Sequence, residues 1–326
     1  MGADVLRRIH RRAFRPIARL APRVVILLYH RIAEPVADPH SLIVSAEHFT
    51  QQLEILRRQY CVISLRELGR RLQTGRLGRR AVVLTFDDGY VDNLWNARPL
   101  LKQYGLPATF FIATGILGQA RTFWWDDLAL LSFRSTLPDR LVVSHQGQEH
   151  RWDVGPASFQ RRQKLHDDLY WLVQALDVES REEVLMQLRT QALATEGGDP
   201  GCRCMGPGEL RELGGCELLE IGAHSVTHPV LSQLTPEAQR REVQESKREL
   251  QEILDRPVTS FSYPYGGENQ VGPLAPQLAR ESGFELACSG VPRPVFRRAD
   301  PYLLPRFVVK DWDGDQFVSE LRQFFA

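Results

Sequence analysis

Two carboxylates stand side by side where an apolar run ends, in Thr85-Phe86-Asp87-Asp88-Gly89-Tyr90. Neighbours on an extended chain point opposite ways, but a turn at Gly89 lets both face one site. Carboxylates that close repel unless a cation lies between them or one holds a proton. A second apolar run leads into Gly222-Ala223-His224-Ser225-Val226-Thr227-His228-Pro229. Histidines at i and i+4 meet on one helical face or turn, a geometry that suits a divalent cation. Together the four residues make an Asp-His-His site with positions open for water and substrate. The plainer alternatives are Asp88 as a helix cap, with one histidine in the core and the other on the surface. A third run ends in Phe261-Ser262-Tyr263-Pro264-Tyr265-Gly266-Gly267. Its Tyr263, Pro264 and Tyr265 suit either a rigid wall for a sugar ring or a tight turn with aromatics in the core.

Such groups need strands to bring them together. Near-continuous apolar runs occur at Val24–Tyr29, Ala81–Phe86, Ala108–Ala113, Leu219–Gly222, Ser260–Tyr263, Phe284–Cys288 and Pro305–Val309. Runs of this kind mark parallel strands covered on both faces. Helical patterns lie between them: Phe49, Leu53 and Leu56; then Leu94, Leu100 and Leu101, broken near Pro99; then Val243, Leu250 and Leu254. Thr235-Pro236 opens the last as N-cap and first helical residue, with Glu237 at the positive end of the dipole. The alternation predicts an α/β fold, either a β/α barrel or a doubly wound sheet. In a barrel, all three chemical clusters fall at strand C-termini, where catalytic groups gather. Residues 121–206 break the rhythm and read as a helical insertion on one rim. Leu165, Leu169, Leu172 and Ala175 should share one face there, and a loop is expected at 196–201.

Thr85–Gly89 as TFDDG, His224–His228 as HSxxH, and Tyr263-Pro264-Tyr265-Gly266 occur in an order that resembles one family. The chain is similar to polysaccharide deacetylases of the NodB-homology type, carbohydrate esterase family four, over about residues 24–310. That resemblance implies a distorted barrel of seven β/α units with a helical insertion. It implies Asp87 as general base and Asp88, His224 and His228 as metal ligands, with the Tyr265 backbone N–H in the oxyanion hole. Zinc would be the usual metal, cobalt or nickel an alternative. The chemistry is coherent, since a bound cation lowers the pKa of water toward about 7 and polarises an acyl carbonyl. Backbone donors stabilise the oxyanion, and an acid protonates the leaving amine.

The pattern departs from the family twice. Many members carry, where this chain has Ser262, an arginine that orients the catalytic aspartate. Asp300-Pro301-Tyr302-Leu303-Leu304-Pro305-Arg306 resembles a DxxxxLPR variant of exopolysaccharide-type members, making Arg306 a candidate to hold Asp87 ionised. A surface ion pair is the alternative. No histidine follows His228, although many members use a late one as acid. His30, in Leu28-Tyr29-His30-Arg31 at the first strand's end, is the candidate replacement. Phe123-Trp124-Trp125-Asp126-Asp127 opens the insertion; Trp124 and Trp125 either stack on a carbohydrate or pin the insertion down.

With 326 residues, 43% hydrophobic and 25% charged, the chain is long enough for a large core. A net charge of +1 gives no reason to expect a nucleic-acid partner. Residues 1–23 form a basic arm of seven arginines against Asp4, either solvated or associated peripherally with an anionic membrane. No cleavable signal and no membrane span are read, so a cytoplasmic place, at most at the inner membrane face, is expected. Five cysteines do not make a disulfide framework, and Cys202, Cys204 and Cys216 lack the spacing of a zinc site. The expected function is removal of N-acetyl groups from an amino-sugar polymer or oligosaccharide in cell-surface polysaccharide assembly. The rivals are a cyclic amide or imide hydrolase on the same fold, and a silent carbohydrate-binding descendant.

Overall fold

Strand β1 (Val24–Tyr29) is six buried residues in a row, and β2 (Ala81–Phe86) repeats the pattern beside it. Burial on both faces is the reason for the unbroken apolar sequence. β3 (Ala108–Ile112), β4 (Leu219–Ala223), β5 (Ser260–Ser262), β6 (Leu286–Cys288) and β7 (Phe307–Val308) extend a parallel sheet in the order β6-β5-β4-β3-β2-β1-β7, with the short strand Cys61–Val62 pairing with the start of β2 off this path. The order is sequential, as a β/α barrel demands, and the short β5 to β7 make it a distorted one. The computed structural model describes residues 23–34, 38–78, 80–119, 122–133, 136–155, 158–192 and 202–326. The basic arm before Arg23 and the loop at 196–201 lie outside the described residues.

One stretch links the two ends of the sheet. Leu304 bridges Cys288 of β6 in parallel, and Phe307 pairs with Leu27 of β1. Arg306 lies between those contacts. The sheet has two apolar faces. On one, Val25, Leu27 and Tyr29 meet Phe49, Leu53 and Leu56 of helix α1 (Ala46–Gln59). On the other, Val24 and Ile26 meet Val83, Phe111, Cys288 and Leu304. Strand alternation sends successive side chains to these two layers.

The helices start where side chains cap them. Ser45 accepts from the His48 N–H at the head of α1. After β2, a π-helical turn at Asn93–Ala97 runs into α2 (Arg98–Tyr104), with Pro99 in its first turn. The break expected near Pro99 is thus a change of helix type, since proline's missing N–H costs nothing at a helix start. Helix α3 (Pro236–Leu254) opens on the Thr235 hydroxyl, which accepts from the Ala238 N–H.

The chain divides into two compact units; of the described residues, the first holds those within 23–34, 42–117 and 205–326, the second those within 38–41 and 118–204. The second carries helices Trp124–Phe133, Phe159–Gln174 and Val178–Gln191 and a hairpin, Arg140–His145 with Gln148–Asp153. Leu165, Leu169 and Val173 are buried on the middle helix, while Leu172 is half-buried and Ala175 exposed. The buried line follows i, i+4, i+8 and corrects the expected face. Among the described residues, no helix is long and apolar enough to cross a membrane.

Phe86 ties sheet to helix layer: it is fully buried and stacks on Phe110 at 4.6 Å and Tyr29 at 5.1 Å. Phe86→Ala should cost about 3–5 kcal/mol, read as a lower urea midpoint at unchanged slope.

Candidate active site

Asp87 leaves β2 at its C-terminal end and meets a guanidinium. Arg306 donates through Nη1 to Asp87 Oδ1 and through Nη2 to Oδ2, each at 2.7 Å. Asp87 is 3% exposed and Arg306 1%. Every edge of the guanidinium is used: Nε donates to the Ser289 carbonyl, Nη1 also to Thr85 Oγ1, and Nη2 also to Ser262 Oγ. Ser262 Oγ donates in turn to Asp87 Oδ2 at 3.0 Å. Burial pushes the Asp87 carboxyl up, but the Arg306 guanidinium beside it outweighs this and holds the group below the usual carboxylate range. The candidate base is kept as an anion in a dry setting.

Asp88 faces the histidines. Its Oδ1 lies 3.4 Å from both His224 Nε2 and His228 Nε2. Metal bonds of about 2.0–2.2 Å in a tetrahedron place ligand atoms about 3.3–3.6 Å apart. Asp88 Oδ1 is buried and makes no hydrogen bond, so it lacks the partner that a buried carboxylate oxygen needs. His224 Nδ1 meets the Ser262 carbonyl at 2.7 Å, which makes it the donor and leaves the Nε2 lone pair toward Asp88. Among the described residues, Asp88, His224 and His228 are the group able to hold a metal ion. Donor set, spacing and the orphaned oxygen all fit a divalent cation. The cysteines form no such group among the described residues.

The turns carrying these groups are unusual. Asp88, Ser225, His228 and Tyr265 all have positive φ, at 78°, 63°, 54° and 60°. Non-glycine residues there are strained and persist only where their surroundings over-determine them. So His224 and His228 meet through left-handed turns, with ring centroids 4.9 Å apart, and not across a helical face. Glu242 of α3 clamps the loop, accepting from the Val226 and Thr227 N–H groups at 2.8 and 2.9 Å and from Thr227 Oγ1 at 2.7 Å. Sequence reading missed Glu242, because nothing local marks one helical glutamate among many. Gly266, at φ 70°, allows the approach beside Tyr265: a Cβ there would lie 2.3 Å from the Gly290 nitrogen.

His30 follows β1, half-buried, and interacts electrostatically with Asp88, Asp87, Arg306 and His224. Burial lowers its pKa more than the two aspartates raise it. Asp87, Asp88, His224, His228, Arg306 and His30 are therefore brought together, and the half-buried Tyr265 ring lies 4.9 Å from that of His228. Other expectations need correction. Tyr263 is fully buried against Phe261, with its hydroxyl donating to the Tyr302 carbonyl, and Pro264 is buried too. Neither offers a wall to a sugar, since Tyr263 lies two residues from Phe261 and shares its core-facing side. Trp124 and Trp125 are 8% and 5% exposed and pack with Tyr170 and Phe123 inside the second unit.

Arg306→Lys keeps the charge but loses the two-pronged contact, and turnover should fall about tenfold or more; an unchanged kcat would remove the pair from catalysis. A second carboxylate tests the electrostatics beside the site. Burial pushes Asp92 up to about 6 despite the Arg31 guanidinium. A raised folded value gives stability that is complete below about pH 4 and lost as pH rises through about 6. Urea titrations across that window should show wild-type stability falling relative to Asp92→Asn, by up to about 3 kcal/mol; parallel curves would contradict it.

The polysaccharide deacetylase family model matches residues 74–286. The chain is 22% identical over 286 residues to YxkH of Bacillus subtilis (strain 168), which is named after polysaccharide deacetylases; the match covers 87% of this chain and 70% of that protein. Among solved structures, Streptococcus pyogenes deacetylase PplD in complex with acetate gives a TM-score of 0.60 at 19% identity, covering 92% of this chain and 99% of its own. IcaB from Ammonifex degensii gives 0.58 at 19%, covering 94% and 98%. The BpsB deacetylase domain from Bordetella bronchiseptica gives 0.54 at 17%, covering 88% and 96%. At these identities the structural likeness is one of fold, and it is the family model, spanning more than half of the sequence, that decides. The chain belongs to the polysaccharide deacetylase family of hydrolases.

Proposed function

We propose that the protein is a metal-dependent N-deacetylase acting on an amino-sugar polymer or oligosaccharide, in the assembly of a cell-surface polysaccharide. The observation that carries this reading is the pairing of two unlike aspartates: Asp87 held as an anion by Arg306, and Asp88 turned toward two histidines. A divalent cation on Asp88, His224 and His228, zinc first with cobalt or nickel as alternatives, would supply Lewis acidity toward an acetyl carbonyl and acidify water.

The chain's own groups do the rest. Asp87 takes the proton of the attacking water, and Arg306 keeps it ionised to do so. The Tyr265 backbone N–H donates to the developing oxyanion. His30, in its imidazolium form, passes its proton to the departing amine, which cannot leave as an anion, and is left as the neutral imidazole. The Tyr-His-Arg stretch and the LPR stretch ending at Arg306 support an exopolysaccharide-type substrate.

The test is acetate release from N-acetylglucosamine oligomers by the metal-loaded protein. Release should stop with a chelator, return with zinc or cobalt, and fall at least about a hundredfold in Asp87→Asn. Turnover of small cyclic amides without acetate release, or sugar binding without release under any metal, would replace this reading with one of its rivals.

A further inference from the structure

The three residues after β1 are gripped by one short segment. Asn93 Nδ2 donates to the His30 carbonyl at 2.9 Å, and Asn96 Nδ2 to the Ile32 carbonyl at 2.7 Å. Asp92 accepts from the Ile32 N–H at 3.3 Å and from Arg31 Nε at 2.9 Å. Asn93 Nδ2 also reaches Asp92 Oδ1 at 2.9 Å, joining the two arms of the grip. The Arg31 guanidinium lies over the Tyr90 ring at 4.8 Å. Tyr90 apart, these groups come from the π-helical turn Asn93–Ala97 and the residue before it. Such turns are rare and frequently mark functional sites.

The burial is costly in stability terms. Asp92 is 2% exposed, Asn93 0% and Arg31 5%. Apolar residues would fill the same space without desolvating a charge pair. What the polar set adds is a single backbone position for His30, and His30 needs it. Its Nδ1 is buried with no hydrogen-bond partner, so no bond at that nitrogen orients the ring. Its direction must come from the main chain, and proton transfer is sensitive to displacements of a fraction of an ångström.

We propose that Asp92, Asn93 and Asn96 are positioning residues that aim the His30 imidazole at the leaving amine. This rests on the reading of His30 as the proton donor. The two substrates that separate the roles are an N-acetylated sugar oligomer, whose amine must be protonated to leave, and 4-nitrophenyl acetate, whose phenolate leaves unaided.

In the metal-loaded protein, Asn93→Ala and Asn96→Ala should lower kcat on the amide about tenfold or more, leave its KM within about twofold, and keep aryl-ester turnover within about twofold. His30→Ala should show the same selectivity more strongly. Equal losses on both substrates, or no loss on either, would make the clamp merely structural and overturn the proposal. Should Asn93→Ala fail to fold by thermal melting, the half-buried Asn96→Ala decides alone. If His30→Ala is selective and the asparagine variants are not, the clamp falls by itself. If His30→Ala is not selective, the proton-donor reading fails and the clamp's role fails with it.

Discussion

The buried pair of Asp87 and Arg306 is the constraint on which the rest of the site depends. Two adjacent carboxylates, both nearly inaccessible, cannot stay ionised without separate compensation. Arg306 compensates one, and a cation held at the histidine-lined position would compensate the other. Different surroundings thus suit chemically identical neighbours to different work, one to taking a proton and one to holding a cation. The pair also couples chemistry to architecture. Arg306 lies in the stretch that bridges β6 and β1, so the contact that completes the sheet also delivers the cation to the base. Ser262 stands where many relatives carry the arginine, and its hydroxyl bonds both Arg306 and Asp87. The guanidinium reaches the carboxylate from a different strand, and the small side chain leaves room for it.

Around that pair the backbone is held in conformations it would not choose. Asp88, Ser225, His228 and Tyr265 each have left-handed φ, at about 1–3 kcal/mol apiece. The local bonds show how the strain is maintained: Glu242 takes three donors from the histidine loop, and Ser225 Oγ accepts from the His228 N–H. Gly266 packs backbone against Gly290 beside Tyr265. The large apolar layers on both sides of the sheet supply the stability that these turns consume.

Much of this was legible in the sequence because of where strands end. Asp87, His224 and His30 each lie within a residue of a strand terminus, and an unbroken apolar run marks such a terminus well. Parallel register then carries the groups to one rim, with Tyr29 opposite Phe86 and Ala223 opposite both Ile112 and Phe261. Reading failed where one residue type serves two environments. Tyr263, Trp124 and Trp125 suit a sugar platform by type, but only packing reveals that they are buried. The hairpin at Arg140–His145 and Gln148–Asp153 was missed because its second strand is largely polar and its turn is Gln146-Gly147, not Asn-Gly. Gln187 and Gln191 hydrogen-bond its first strand at both N–H and carbonyl, a long-range arrangement that no local pattern announces.

Exposure across the site runs in one direction. Asp88, His224, Asp87 and His228 are between 1% and 6% exposed, while His30 and Tyr265 are only half-buried. The groups suited to hold a cation and to take a proton therefore lie deep. Those suited to give a proton and to contact a reacting oxygen lie nearer to solvent. That ordering matches an acyl group entering first and an amine departing outward, because attack is directed at the buried carbon and the leaving nitrogen stays on the accessible side. On the proposed reading, it also suits a donor at the end of β1, where no histidine follows His228. Arg306 is buried against Asp87, whereas His30, at the end of β1 beside β2, is half-buried, so of the groups suited to proton transfer it is the one with access to solvent.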